Sequence, residues 1–170
     1  MIWMNKESKT NIGDTGNQNE NGNQPMGTPY EKDVVAWAEE QAALLRAGKL
    51  ASIDIEHIAE EIEDVGKSEQ REFANRMAIL LAHLLKWQFQ PERRTHSWTN
   101  TILTQRAAIE RRLRKTPSLK PMLTEEDWIA DMWGDAREQA ANETGIGFAD
   151  FPESCPWTMS SVLEQGFGPE

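Results

Sequence analysis

A single cysteine, Cys155, leaves no internal disulfide to hold this chain together, and a reducing compartment is the simpler expectation. No stretch approaches the roughly 18 consecutive apolar residues of a membrane-spanning helix. No continuous apolar run of signal-peptide length stands near the start either. These two absences set an expectation of a cytoplasmic protein with no membrane partner. Net positive charge is also missing: the formal charge is −10 and the isoelectric point about 4.9. That argues against a general nucleic-acid or membrane-surface binder, which carries positive charge. No strand pattern of useful length and no internal repeat occurs. A phosphate-cradling glycine loop, zinc-ligand spacing and a serine nucleophile elbow are lacking too.

What is present reads as all-α: a single helical bundle of about five main helices with an irregular C-terminal strap. The 170 residues suffice for one ordinary domain; 38% are apolar and 27% charged, which supplies one core under a very polar surface. Residues 1–27 form a polar leader rich in Asn, Gln and Gly. It has no hydrophobic period, cannot offset its ordering entropy, and is expected to be disordered. Met26 is a candidate alternative start. Residues 28–170 are then the bundle domain.

Thr28-Pro29-Tyr30-Glu31 reads as a capping box opening the first helix, with Val34, Trp37, Ala38, Gln41, Leu44 and Leu45 following a helical period and Gly48 as its stop. Asp54 caps a second helix with Ile55, Ile58, Ala59, Ile62 and Val65 on one face, interrupted or kinked at Gly66 and Ser68. From Ser68 a third helix is apolar over most of its girth, through Phe73, Met77, Leu81 and Leu84, which marks it as central. Pro91 ends it. Ser97 caps a fourth helix, stopped at Thr116-Pro117, and a fifth starts between Ser118 and Thr124 and ends near Gly145. Beyond it Phe148, Phe151 and Trp157 pin the strap, which holds one short helix at Thr158 to Leu163.

Taken in order, several pieces resemble a bacterial family known as domain of unknown function twenty-nine. They include Tyr30 with Trp37 and Gln41-Ala42-Ala43-Leu44-Leu45-Arg46; Ala59-Glu60-Glu61-Ile62-Glu63; His83-Leu84-Leu85-Lys86-Trp87 with Gln90-Pro91; Arg94 with Ser97-Trp98; Gln105-Arg106; Glu143-Thr144-Gly145; and Cys155-Pro156-Trp157. The resemblance spans about residues 30–167 and implies an all-helical fold, with no activity attached. At His57 the chain departs from the pattern, where a small amide such as Asn is commoner.

Three groups are candidates for chemistry. Asp54, His57, Glu60 or Glu61, and Asp64 recur at helical steps, and His83 can be added to them. A Glu/His cluster between helices, built on Glu60, Glu63 and His83, would make a metal-binding or acid–base bundle, although di-iron bundles take such motifs from two helices. A solvated acidic face is the favoured alternative, and no metal or cofactor is assigned. The second group is basic. Residues 86–120 hold nine Lys or Arg against two Glu, a local charge of +7 against −17 for the remainder. His83, Lys86, Arg93, Arg94 and His96, with Trp87 and Trp98 for stacking, would suit an anion or nucleic-acid face. Internal neutralisation is favoured instead, with Arg94 and Arg106 paired to Glu60, Glu61 and Glu63. Gln105 falls on the apolar face of the fourth helix, where a buried amide needs a partner. Cys155 is read as a small buried hydrophobe rather than a nucleophile. The expectation is a non-enzymatic protein-interaction or regulatory module, with a protein partner or self-association.

A chain beginning at Met26 should keep the melting temperature and helical content of the full chain, since the leader has no apolar period to bury. Loss of several degrees in a circular-dichroism melt would show that the leader packs.

Overall fold

A computed structural model describes residues 27–168. The expected disordered leader, Gly27 apart, lies outside the described residues. Among the described residues the regular elements are helical: α1 Val34–Arg46, α2 Ile55–Phe89, α3 His96–Lys115, α4 Glu126–Thr144 and α5 Met159–Leu163, with short 3₁₀ turns between them. None of these helices is long and apolar enough to cross a membrane. Two compact units divide the described chain, residues 27–58 and 59–168.

In the first unit the helix begins later than the capping box implies. Lys32 and Asp33 donate to the Pro29 carbonyl at 3.1 and 3.3 Å, which makes a separate turn. Asp33 is the N-cap, accepting from the Val35 and Ala36 amides at 3.1 and 3.0 Å. Thr28 instead donates its amide and hydroxyl to the Glu40 carboxylate, at 2.7 and 2.8 Å. Gly48, at φ +69°, follows the C-cap Ala47 and takes the left-handed conformation that ends helices. Asp54 caps the start of α2 through the His57 amide at 3.3 Å.

The expected interruption at Gly66 and Ser68 does not occur: α2 is one helix of 35 residues. A glycine inside a helix costs only about 1 kcal/mol, and Lys67 bridges back to Glu63 and Asp64 at 3.4 and 3.2 Å. Gly66 costs the helix too little to break it.

The second unit holds the core. Phe73, Met77, Leu80, Leu81, Leu84 and Leu85 of α2 are fully buried against Ile109 of α3 and Met132, Trp133, Ala136 and Ala140 of α4. Pro91 stops α2, and Thr95, rather than Ser97, caps α3 through the Trp98 amide at 3.4 Å. Phe151 and Trp157 pin the strap as expected, and Phe148 does not. Phe151 is buried edge-on to Phe89, and the Trp133 indole, edge-on to Trp157, donates to the Pro152 carbonyl at 3.0 Å. Phe148 stays at the surface beneath the Arg137 guanidinium, 3.9 Å away.

Leu84 is fully buried at the centre of this core. Leu84→Ala should destabilise by about 2–5 kcal/mol in chemical denaturation, as buried leucines do when truncated. A cost under about 1 kcal/mol, the scale of surface changes, would contradict the central placement of α2.

Candidate functional site

Ile79, His83, Lys86 and Gln90 fall on one side of α2 at helical spacing, and α4 packs along that side. Lys86 is 3% exposed. An ammonium so buried costs several kcal/mol unless its protons are satisfied. Here Nζ forms a close ion pair with Glu143 and donates to His83 Nε2 at 3.3 Å. It also stands 5.0 Å from the ring centre of Trp98 on α3, within cation–π range. His83 Nδ1 donates to the Ile79 carbonyl at 2.9 Å, which leaves Nε2 as the acceptor Lys86 needs. Gln139 steadies the other Glu143 oxygen at 2.8 Å, and Gln90 donates to the Thr144 carbonyl at 3.4 Å.

Two groups of the cluster, His83 and Glu143, are each shifted toward one state. Burial, then the neighbouring Lys86 charge, pushes the His83 pKa below its ordinary 6.5. Burial alone would raise Glu143, but the bonds from Lys86 and Gln139 and the Lys86 charge hold it below the usual carboxylate range. The result is a neutral imidazole, an ammonium and a carboxylate closed on one another. The arrangement ties α2, α3 and α4 together through Lys86.

Among the described residues Arg94 and Arg106 do not form the expected pairs with Glu60, Glu61 and Glu63. Arg106 is buried and donates to backbone instead, Nε to Val162 at 2.8 Å and Nη2 to Phe167 at 2.6 Å. Arg94 donates to the Trp87 carbonyl at 2.9 Å and lies 4.9 Å over that residue's ring. Register is the reason. The turn at residues 90–95 sets Arg94 beside Trp87, Gln105 beside Arg76 at 3.4 Å, and Arg112 beside Glu69 at 2.6 Å. Continued at that spacing, residues 60–63 fall opposite positions past Lys115, where α3 has ended. Internal neutralisation does occur, one register along: Arg112 bridges Glu69 and Glu72, and Arg76 meets Glu72 at 2.7 Å.

Residues 29–168 match the family described as Domain of unknown function DUF29. The chain belongs to this family. No curated protein and no solved structure matches it. For this DUF29 chain the Glu60, Glu63 and His83 constellation is also corrected. Glu60 and His83 stand 23 residues apart on the single helix α2, about 35 Å at 1.5 Å per residue. Among the described residues no three His, Cys, Asp or Glu side chains gather as metal ligands. Gln105 is half-buried, and its side-chain carbonyl accepts from Arg76 at 3.4 Å. Burial pushes the Cys155 thiol pKa up, away from a nucleophile's range.

Two features escaped the sequence reading. Glu143 had no signal beyond its place near the end of a helix. In the first unit, Asp54 joins separate elements: its Oδ2 accepts from the Trp37 indole at 3.1 Å and lies 2.7 Å from His57 Nδ1, while its amide donates to the buried Gln41 at 2.8 Å. Tyr30 stacks on His57 with ring centres 4.5 Å apart. The pairing of His57 with Asp54 holds the Asp54 carboxyl below its ordinary value, despite the opposing effect of burial. Gln41 between apolar helical positions was the available signal.

Removing one side of the Lys86 pair strands the other. Glu143→Gln should cost about 1–3 kcal/mol in a urea melt, and Lys86→Met in that background should recover much of it. The pH dependence separates the two acid-labile groups. His83 has a lowered folded pKa, so its contribution is complete above the ordinary value of 6.5 and is lost as pH falls below it. Glu143 also has a lowered folded pKa, and its contribution is lost only as pH falls through the acidic carboxylate range. His83→Gln should therefore flatten the loss of stability as pH falls below the ordinary value of 6.5 and leave the acid limb in place. An unchanged slope in that window would show that His83 is not held neutral.

Proposed function

We propose that this chain is a non-enzymatic protein-interaction module, regulatory in role, that docks through residues 59–68 of α2. The observation that carries the reading is the exposure of Ile62 and Val65, 68% each, on a helix that has outrun its partner α3. They lie three residues apart, so they share a face. Glu60, Glu63 and Asp64, on the same turns of α2, are exposed and make this end of the helix acidic. An apolar strip on an acidic stretch of helix fits a partner with an apolar seat and basic side chains near it.

A second copy of the chain has that chemistry. Arg111, Lys115 and Lys120 are exposed at the end of α3 and in the turn after it, at the same end of the hairpin as residues 60–66. A two-fold axis there would set each acidic strip against the other copy's basic end, and closed two-fold pairing is the commonest form of self-association. The closed state of the Lys86 cluster supports the non-enzymatic half of the reading, since its donors and acceptors already serve each other. Lys86 and Arg106 are buried, and Trp87 and Trp98 already carry Arg94 and Lys86. The burial of Lys86 and Arg106 speaks against a nucleic-acid face centred on these two residues.

Sedimentation of the full chain should give a dimer at low salt, weakened about tenfold or more in high salt as exposed charges are screened. Ile62→Glu with Val65→Glu should give a monomer with an unchanged melting temperature. A wild-type chain that stays monomeric at about 100 μM, well above ordinary micromolar association, would overturn self-docking through this face.

A further inference from the structure

The bundle buries two cations and treats them differently. Lys86 has Glu143. Arg106, 5% exposed, has no carboxylate partner among the described residues; its two hydrogen bonds go to the Val162 and Phe167 carbonyls. Carbonyl dipoles satisfy N–H groups but do not neutralise the charge, and burying an uncompensated charge is costly. Of the five N–H donors of a guanidinium, those on Nη1 make no hydrogen bond among the described residues.

Arg106 lines a cavity of about 180 Å³ between the end of α2, α3 and the C-terminal strap. Ile102, Leu103 and Phe167 give it apolar walls, and Leu103, 49% exposed, stands at its mouth. Trp87 lines it as well, and its indole N–H makes no hydrogen bond among the described residues. The Thr99 hydroxyl in the wall already donates to the Thr95 carbonyl at 3.3 Å. Among the described residues no acidic side chain lines the cavity. A largely buried positive charge and an available indole donor beside apolar walls select one kind of guest: an anion with two acceptor oxygens and an apolar body.

We propose that this cavity binds a small monocarboxylate with a short aliphatic or aromatic tail. The carboxylate meets Arg106 with support from the Trp87 N–H, and the tail lies along Ile102, Leu103 and Phe167. A planar carboxylate suits the guanidinium fork, which can meet it with paired hydrogen bonds. The cavity is smaller than the roughly 300–1,000 Å³ of drug-sized sites, which keeps the tail short. Inorganic phosphate fits less well, because apolar walls cannot replace the hydration of its remaining oxygens. These residues are distinct from the docking strip at residues 59–68, so either assignment can fail without the other.

Calorimetric titration of the full chain with benzoate and butyrate tests the assignment, with benzamide, butyramide and inorganic phosphate as controls. The carboxylates should bind at least about tenfold more tightly than their amides, and more tightly than phosphate. Arg106→Gln should abolish binding. Because that change can also unfold the strap, Leu103→Glu gives a second arm: this exposed position tolerates substitution, and an acid at the mouth should weaken benzoate at least tenfold with the melting temperature unchanged. No heat with either carboxylate, equal binding of acid and amide, equal binding of phosphate, or full binding by Leu103→Glu would each overturn the proposal.

Discussion

The register of α3 on α2 is the constraint from which most of the second unit follows. Pro91 cannot continue α2, and Thr95 restarts a helix after a single 3₁₀ turn, so the chain reverses within a few residues. A connection that short allows little choice in how the two helices slide. The same turn that sets Arg94 over Trp87 brings Trp98 over Lys86, Arg76 to Gln105, and Arg112 to Glu69 and Glu72. Opposite charges on the helices stabilise the hairpin where it places them together. Exposed pairs of this kind contribute only about 0.2–1 kcal/mol each, so they tune an arrangement whose stability rests on the buried apolar face of α2.

The hairpin also decides what stays uncovered. α2 is 35 residues long and α3 only 20. When helices of unequal length share one turn, the longer must outrun the shorter at the far end. That end of α2 carries Ile62 and Val65, whose apolar surface gains no neighbour from α3. The acidic residues around them keep such a strip soluble while it lacks a partner. The −17 charge outside residues 86–120 is therefore divided by geometry. Glu69 and Glu72 are matched by Arg112 inside the unit, whereas Glu60 lies beyond its reach.

The fold was largely legible because helix, cap and stop signals are local. Pro91, Thr116-Pro117 and Gly145 mark ends where ends occur, and the wide apolar arc of residues 73–85 identifies the central helix. Errors came where a local signal competed with a neighbour. Thr28 looks like an N-cap, but Pro29 forms its own turn and Glu40 claims the threonine. Gly66 looks like a break, yet one glycine costs a long helix little. The polar sites were harder to read. The line of Ile79, His83, Lys86 and Gln90 was visible from spacing, and the need of Gln41 for a partner could have been inferred. Which acid meets Lys86 depends on α4, from more than 50 residues away, and no periodicity carries that information. Arg106 was assigned to carboxylates because the register was unknown. Once it is fixed, the same charge argument sends Arg106 to the carbonyls of the strap.

Two buried cations in one small core are hard to explain as stabilising devices. Replacing a buried ion pair with apolar residues of similar shape is often neutral or favourable, so Lys86 and Glu143 contribute more to selecting one alignment of α2, α3 and α4 than to net stability. A leucine at position 86 would accept several alignments; an ammonium that needs Glu143, the neutral face of His83 and the Trp98 ring accepts very few. Arg106 selects in the same way. It holds the carbonyls of Val162 and Phe167, which ties an irregular strap to a helix without any side-chain partner in the strap. A strap held by carbonyls leaves the charge of Arg106 uncompensated, and that deficit lies in the wall of a cavity. The core is thus complete at Lys86 and electrically incomplete at Arg106, which makes Arg106 the place where an added anion would change both the occupancy of the cavity and the hold on the strap.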